Sequence, residues 1–110
     1  VVRMPRGLQA PGQKLWKSTF EQYELSDTEA AVLEEACRAR DWILQLDAVV
    51  AREGVMASSS QGIRVHPALT EVRQQRLLLA RLLATLSIPP LEDDDLPPAR
   101  KARGVYRRGA

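Results

Sequence analysis

One long, cleanly bounded helical run near the middle of this 110-residue chain constrains its fold more than any other feature. It opens at Ser26-Asp27-Thr28-Glu29, a capping box in which the serine hydroxyl takes the Glu29 amide and the glutamate returns a bond to the Ser26 backbone. Leu25 and Ala30 occupy the positions of a weak hydrophobic staple around it. Val32, Leu33, Ala36, Cys37, Ile43, Leu44, Leu46 and Val50 then recur with helical period, and Glu34 and Arg38 form a favourable i,i+4 pair on the outer side. Gly54 is the natural stop, since glycine accepts the left-handed backbone at a helix C-terminus. The run predicts a helix of about 26 residues, roughly 40 Å long. A rod of that length, apolar on one side, requires a long partner.

The flanking segments supply candidates. Residues 1–11 carry Pro5, Gly7 and Pro11 among scattered arginines and read as a flexible basic arm. From Gly12, the positions Leu15, Trp16, Thr19, Phe20 and Tyr23 mark one face of a short helix of roughly three turns that anchors by burying aromatics. Residues 55–66 break the helical pattern: Val55-Met56, a Ser-Ser-Ser-Gln-Gly turn and Ile63-Arg64-Val65 fit a small β-hairpin with Gly62 in the special turn conformation, and equally a loop. A third, Leu-rich helix opens at His66-Pro67, proline suiting its first position, and Pro89-Pro90 closes it. The remainder, an acidic block (Glu92, Asp93, Asp94, Asp95), Pro97-Pro98 and a basic block, has the composition of disorder. The expected architecture is mainly α, with a helical oligomerisation domain over residues 12–90 between disordered termini, 1–11 and 91–110.

Composition agrees with helices packed on helices. The chain is 45% hydrophobic but only 5% aromatic, its apolar content being chiefly Leu, Val and Ala. A single cysteine excludes an internal disulfide and suits a reducing compartment. No apolar stretch approaches the roughly 18 residues of a membrane span, and no signal-peptide core is evident at the front. The expected setting is the cytoplasm, without membrane association.

Motifs of catalysis are missing from the sequence. His66 is the sole histidine, and it has no second histidine, cysteine pair or clustered acid with metal-ligand spacing; a residue that packs or caps a helix start is the simpler reading. Cys37 falls on the apolar side of the long helix, where a free thiol behaves as a small hydrophobe. Ser58-Ser59-Ser60 forms no nucleophile elbow, and no glycine-rich phosphate loop is present. No catalytic, cofactor or metal site is expected. The basic residues offer phosphate contacts instead: Arg3, Arg6, Lys14 and Lys17 at the front, Arg73 and Arg76 on the third helix, and Arg100, Lys101, Arg103, Arg107 and Arg108 at the back, where Tyr106 can stack on a base. Leu69, Val72, Leu77, Leu79, Leu82, Leu83 and Leu86 spread around more than one face of the third helix. One face can pack on the long helix, and the surplus implies an interface with another chain.

The order of local motifs resembles the small subunits of tailed-phage terminases, in the form common in phages and prophages of actinobacteria and other bacteria. The pieces that carry it are GQKLWKSTFEQYEL, then LSDTEAAVLEEACRARDWILQLDAVVAREG, then SSSQGIRVHPAL running into TEVRQQRLLLARLLATLSIPP, together about residues 12–90. Among them are the Gly62-x-x-x-His66-Pro67 junction and the Glu71-x-Arg-Gln-Gln-Arg76 stripe. The resemblance implies a non-catalytic component of a genome-packaging machine that forms a homo-oligomeric ring in the bacterial host cell. It further implies double-stranded viral DNA and the terminase large subunit, which carries the ATPase and nuclease, as partners. A ring multiplies each weak basic patch, which reconciles DNA contact with a net charge of only +2. The front departs from the family members that carry a separate helix-turn-helix domain, so DNA contact falls to the arm, the polar stripe or the basic tail. Two rivals stand beside this reading: a small helical DNA-binding regulator without a packaging role, and a small hydrolase or nuclease built around His66.

Overall fold

The computed structural model describes residues 2–89 and the short strand Tyr106–Arg107. Three helices dominate: α1 (Ala10–Gln22), α2 (Asp27–Glu53) and α3 (Pro67–Thr85). Two small antiparallel ribbons accompany them. Strand β1 (Tyr23–Glu24) pairs with β4 (Tyr106–Arg107), and β2 (Met56–Ser59) pairs with β3 (Gly62–Val65). The mainly helical architecture and the small hairpin both match the expectation from sequence.

Helix α2 is the spine, and its ends form as its residues dictate. Glu29 N–H donates to Ser26 Oγ at 3.2 Å and Ser26 N–H donates to Glu29 Oε1 at 2.8 Å, which completes the capping box. At the other end Gly54 N–H donates to Val50 O, and Gly54 adopts φ +89°, ψ 166°. That backbone lies beyond the left-handed helical well, in a region essentially reserved for glycine, and it turns the chain straight into a strand.

Helix α3 returns antiparallel to α2. His66 at its start meets Glu53 at the end of α2, and Arg76 further along meets Asp47 further back. Ile43 and Leu33 of α2 interlock with Leu79, Leu83 and Leu86, all essentially inaccessible to solvent, to form the centre of the core. The closing turn of α3 differs from the expected proline stop. The helix ends at Thr85; Ser87 takes the left-handed conformation (φ +61°), and Ile88 N–H donates to Leu83 O at 2.9 Å. This closing turn swings Ile88 back into the core, a Schellman-type end that finishes the helix before the prolines are reached.

Helix α1 packs on the first half of α2 through Leu15, Trp16 and Thr19, with the Trp16 and Phe20 rings 4.8 Å apart. Thr19 Oγ1–H donates to Leu15 O at 2.7 Å, so its buried hydroxyl is satisfied within the helix. The expected helical face ends one residue early, because Tyr23 is extended (φ −132°) and starts β1.

The front of the chain also differs from the sequence expectation. Residues 2–9, read as a flexible arm, lie against the helices: Leu8 is 5% exposed, and Val2 and Met4 pack on the core edge. Helix α1 itself begins at Ala10, with Pro11 inside its first turn. The reason is a buried carboxylate. Gln9 has no capping side-chain bond of its own, and Asp41 of α2 takes over: its Oδ2 accepts from Gln9 N–H at 2.8 Å and its Oδ1 from Gly12 N–H at 2.6 Å. A negative charge at a helix N-terminus meets both the orphan donors and the helix dipole. Gly12 permits that approach, since a Cβ there would sit 2.6 Å from Asp41 Oδ2 and 2.8 Å from Cys37 O. The acidic block Glu92–Asp95 and the expected disorder of residues 91–105 and 108–110 lie outside the described residues.

Candidate interaction surface

The three helices leave a specific set of large apolar side chains outside. Trp42 is 55% exposed on α2, Leu77 and Leu78 are exposed on α3, and Val55, Met56, Ile63 and Val65 are exposed around the hairpin. These groups fall into three places, which the helical and strand periods define.

On α3 the leucines part company by position. Val72, Leu79, Leu83 and Leu86 recur at i, i+7, i+11 and i+14 and are buried against α2. They belong to the core of one protomer, so their expected place in an interface between copies is corrected: the face that repeats in phase with α2 is consumed by it. Leu69 and Leu82 are partly buried at the margins of that face. Leu77 alone of the expected interface set is exposed, together with Leu78. A rotation of about 100° per residue separates these two. Leu77 therefore falls on a stripe with Leu69 and Arg73 (i, i+4, i+8). Leu78 falls on the opposite flank with Glu71, Gln75 and Leu82 (i, i+4, i+7, i+11).

The second flank continues onto α2. Trp42 and Leu46 face Glu71 and Gln75 across a shallow groove of about 290 Å³. Inside it Gln75 Nε2–H donates to Glu71 Oε1 at 3.1 Å. Trp42 is the group that the sequence reading missed. An aromatic residue among Asp41 and Ile43 gives no sign of its direction until the faces taken by α1 and α3 are known.

The hairpin is the third place. Its register pairs Met56 with Val65, Ala57 with Arg64, Ser58 with Ile63 and Ser59 with Gly62, across a two-residue turn of Ser60-Gln61. Alternation therefore puts Met56, Ile63 and Val65 on one face of the ribbon, and Ala57 and Arg64 on the other. Every strand side chain except Ala57 is exposed. Gly62 (φ +111°) serves the end of the turn as expected, at the first position of β3. The base is held firmly: His66 N–H donates to Val55 O at 2.8 Å. His66 Nδ1 accepts from Ala68 N–H at 3.0 Å, capping α3. Nε2 therefore carries the proton and donates to Glu53 Oε1 at 2.9 Å. Glu53 is held below the usual carboxylate range, first by this bond and then by the one from Arg52. His66 is thus a helix cap and a splint between α2 and α3.

The expected DNA-contacting residues divide by what they already do. Arg76 is half-buried, its Nη2–H donating to Asp47 Oδ2 at 2.8 Å, because α3 turns residue 76 toward α2. Arg73 is exposed. Lys14 and Lys17, three apart on the outer side of α1, are exposed, as are Arg3 and Arg6. Arg3 borders a hollow of about 220 Å³ shared with Asp27 and Glu34. Arg64, expected only as part of the hairpin, and Arg81 are exposed cations of the same kind. Arg107 lies in β4, its backbone opposite Tyr23. Arg100, Lys101, Arg103 and Arg108 lie outside the described residues.

Cys37 is fully buried, and burial, followed by the charges of Asp41 and Glu34, pushes its thiol up to about 12. It is a core group, as its place in the sequence suggested. Among the described residues no three His, Cys, Asp or Glu side chains are grouped to hold a metal ion, and no helix is long and apolar enough to cross a membrane.

No family model, curated protein or solved structure matches this chain.

Proposed function

We propose that this chain is the non-catalytic small subunit of a phage terminase. In this reading it assembles as a homo-oligomeric ring, engages double-stranded viral DNA, and regulates a separate large ATPase/nuclease subunit during genome packaging. The observation that carries the reading is the apolar surface left uncovered on two opposite flanks of the α2–α3 pair and on the hairpin, with Trp42, Leu77, Leu78 and Ile63 all exposed. A chain that leaves so many large hydrophobes in water is suited to burying them against its own copies. The ordered motifs of residues 12–90 give the assembly its family resemblance, and the setting is the cytoplasm of a bacterial host.

Two distinct flanks favour a head-to-tail contact, in which one patch meets a different patch on the next copy; such contacts close into rings when the rotation permits. Lys14, Lys17, Arg3, Arg6 and Arg73 would then recur around the assembly, as would the basic tail. Each protomer needs to supply only a few phosphate contacts.

The alternative is a small helical DNA-binding regulator without a packaging role. A helix-turn-helix of that kind joins its helices by three or four residues. Here a complete hairpin separates α2 from α3, which favours the first reading.

Light scattering with and without duplex DNA, at low and high salt, tests the proposal. A closed multi-subunit mass that binds duplex and loses it as salt rises is the expected result. A monodisperse single protomer at micromolar concentration overturns the ring. A protomer or dimer that binds one DNA sequence selectively supports the regulator.

A further inference from the structure

We propose that the β2–β3 hairpin of one copy seats its apolar face in the Trp42 groove of the next, with Ile63 as the inserted side chain. The inference rests on the ring reading and names the contact that would build it. Three observations support it. A two-stranded ribbon alone is marginal in water, yet this one presents Met56, Ile63 and Val65 on a single uncovered face, and Ile63, at 74%, is the most exposed large hydrophobe among the described residues. The chain also carries the complementary shape, a groove between Trp42, Leu46, Glu71 and Gln75 whose volume of about 290 Å³ suits an aliphatic side chain rather than a whole strand. Ile63 and Trp42 are both exposed in the protomer, so the knob and the groove do not meet within one chain.

Charge selects a second copy as the occupant. Apart from His66, Arg64 is the only charged residue in the segment 54–66, and Glu71 is the only charged residue lining the groove. Among the described residues Arg64 has no carboxylate partner, and Glu71 meets only the Gln75 amide. Arg64 leaves the opposite face of β3 from Ile63, so with Ile63 seated its long stem folds around the ribbon edge to carry the guanidinium to Glu71 at the rim. Two hairpins packed face to face would leave the Trp42 groove open. The head-to-tail arrangement covers both patches with one contact.

The test uses Ile63→Asp, which spoils the knob and keeps the groove, and Trp42→Glu, which spoils the groove and keeps the knob. Both residues are exposed, so helical circular dichroism should match the wild type. The wild type is expected to run as a multi-subunit species. Each variant alone should fall to one-protomer mass, with association weakened at least about tenfold. Their equimolar mixture should give a two-chain species, because one intact knob then meets one intact groove. Arg64→Glu and Glu71→Arg should each weaken assembly, and the double variant should restore it. If either single variant keeps the wild-type mass, or if the mixture stays at one protomer, this contact is wrong and the ring reading stands. A wild type that is itself a single protomer removes both.

Discussion

Asp41→Ala is expected to be among the most costly single substitutions in this chain, and the cost can be worked from the geometry. Asp41 is 7% exposed, and its carboxylate accepts from two backbone amides, Gln9 N–H and Gly12 N–H, at the start of α1. Removing it leaves the buried Gly12 donor unsatisfied, at about 1–3 kcal/mol. The Gln9 donor is only part-buried, so water recovers some of its loss. The lost attraction between a carboxylate and a helix N-terminus adds about 0.3–1 kcal/mol. The sum is about 2–4 kcal/mol, a large share of the roughly 5–15 kcal/mol that holds a domain together. At about 4–8 °C per kcal/mol the melting temperature should fall by roughly 8–30 °C. Urea denaturation followed by circular dichroism measures the change. Gly12→Ala provides a second arm. Its new Cβ meets the Asp41 carboxylate and the Cys37 carbonyl, so it should destabilise despite the better helix propensity of alanine, worth about 1 kcal/mol. The double variant should cost less than the sum of the two, because the carboxylate clash disappears with the carboxylate. A loss below about 1 kcal/mol for Asp41→Ala would show that α1 is not positioned by this cap.

Three further outcomes follow from named contacts. Ser26→Ala removes one half of the capping box and should lower stability by about 1 kcal/mol in the same urea assay, whereas Thr28→Ala, with its exposed side chain, should be near neutral. Cys37, with its thiol at about 12, should resist thiol reagents at neutral pH in the folded protein and react once urea unfolds it; rapid labelling of the native chain would contradict its burial. Glu53 has a lowered folded pKa, so the stability it contributes is present above its ordinary value of 4.5 and is lost as pH falls through the lower folded value. The urea midpoint of wild type should therefore exceed that of Glu53→Gln at neutral pH, and the gap should close in acid below pH 4.5. A gap that widens in acid would reverse the assignment.

Local chemistry legible in the sequence set the number of helices and most of their ends. The capping box at Ser26, the glycine stop at Gly54, the Pro67 start and the 3.6-residue repeat of apolar positions are short-range signals, and each produced the element it indicated. The hairpin followed from Gly62 and the β-branched residues around it. Contacts distant in sequence decided the rest. Asp41 reads as one more acid on a helix until α1 arrives to present its amides, and only then do residues 2–9 have a surface to lie on. The leucines of α3 are alike in the sequence, but α2 can cover only one face of a helix. That coverage buried Val72, Leu79, Leu83 and Leu86 and left Leu77, Leu78 and Trp42 outside. Periodicity assigns residues to faces, whereas only packing determines which of those faces meet protein and which meet water.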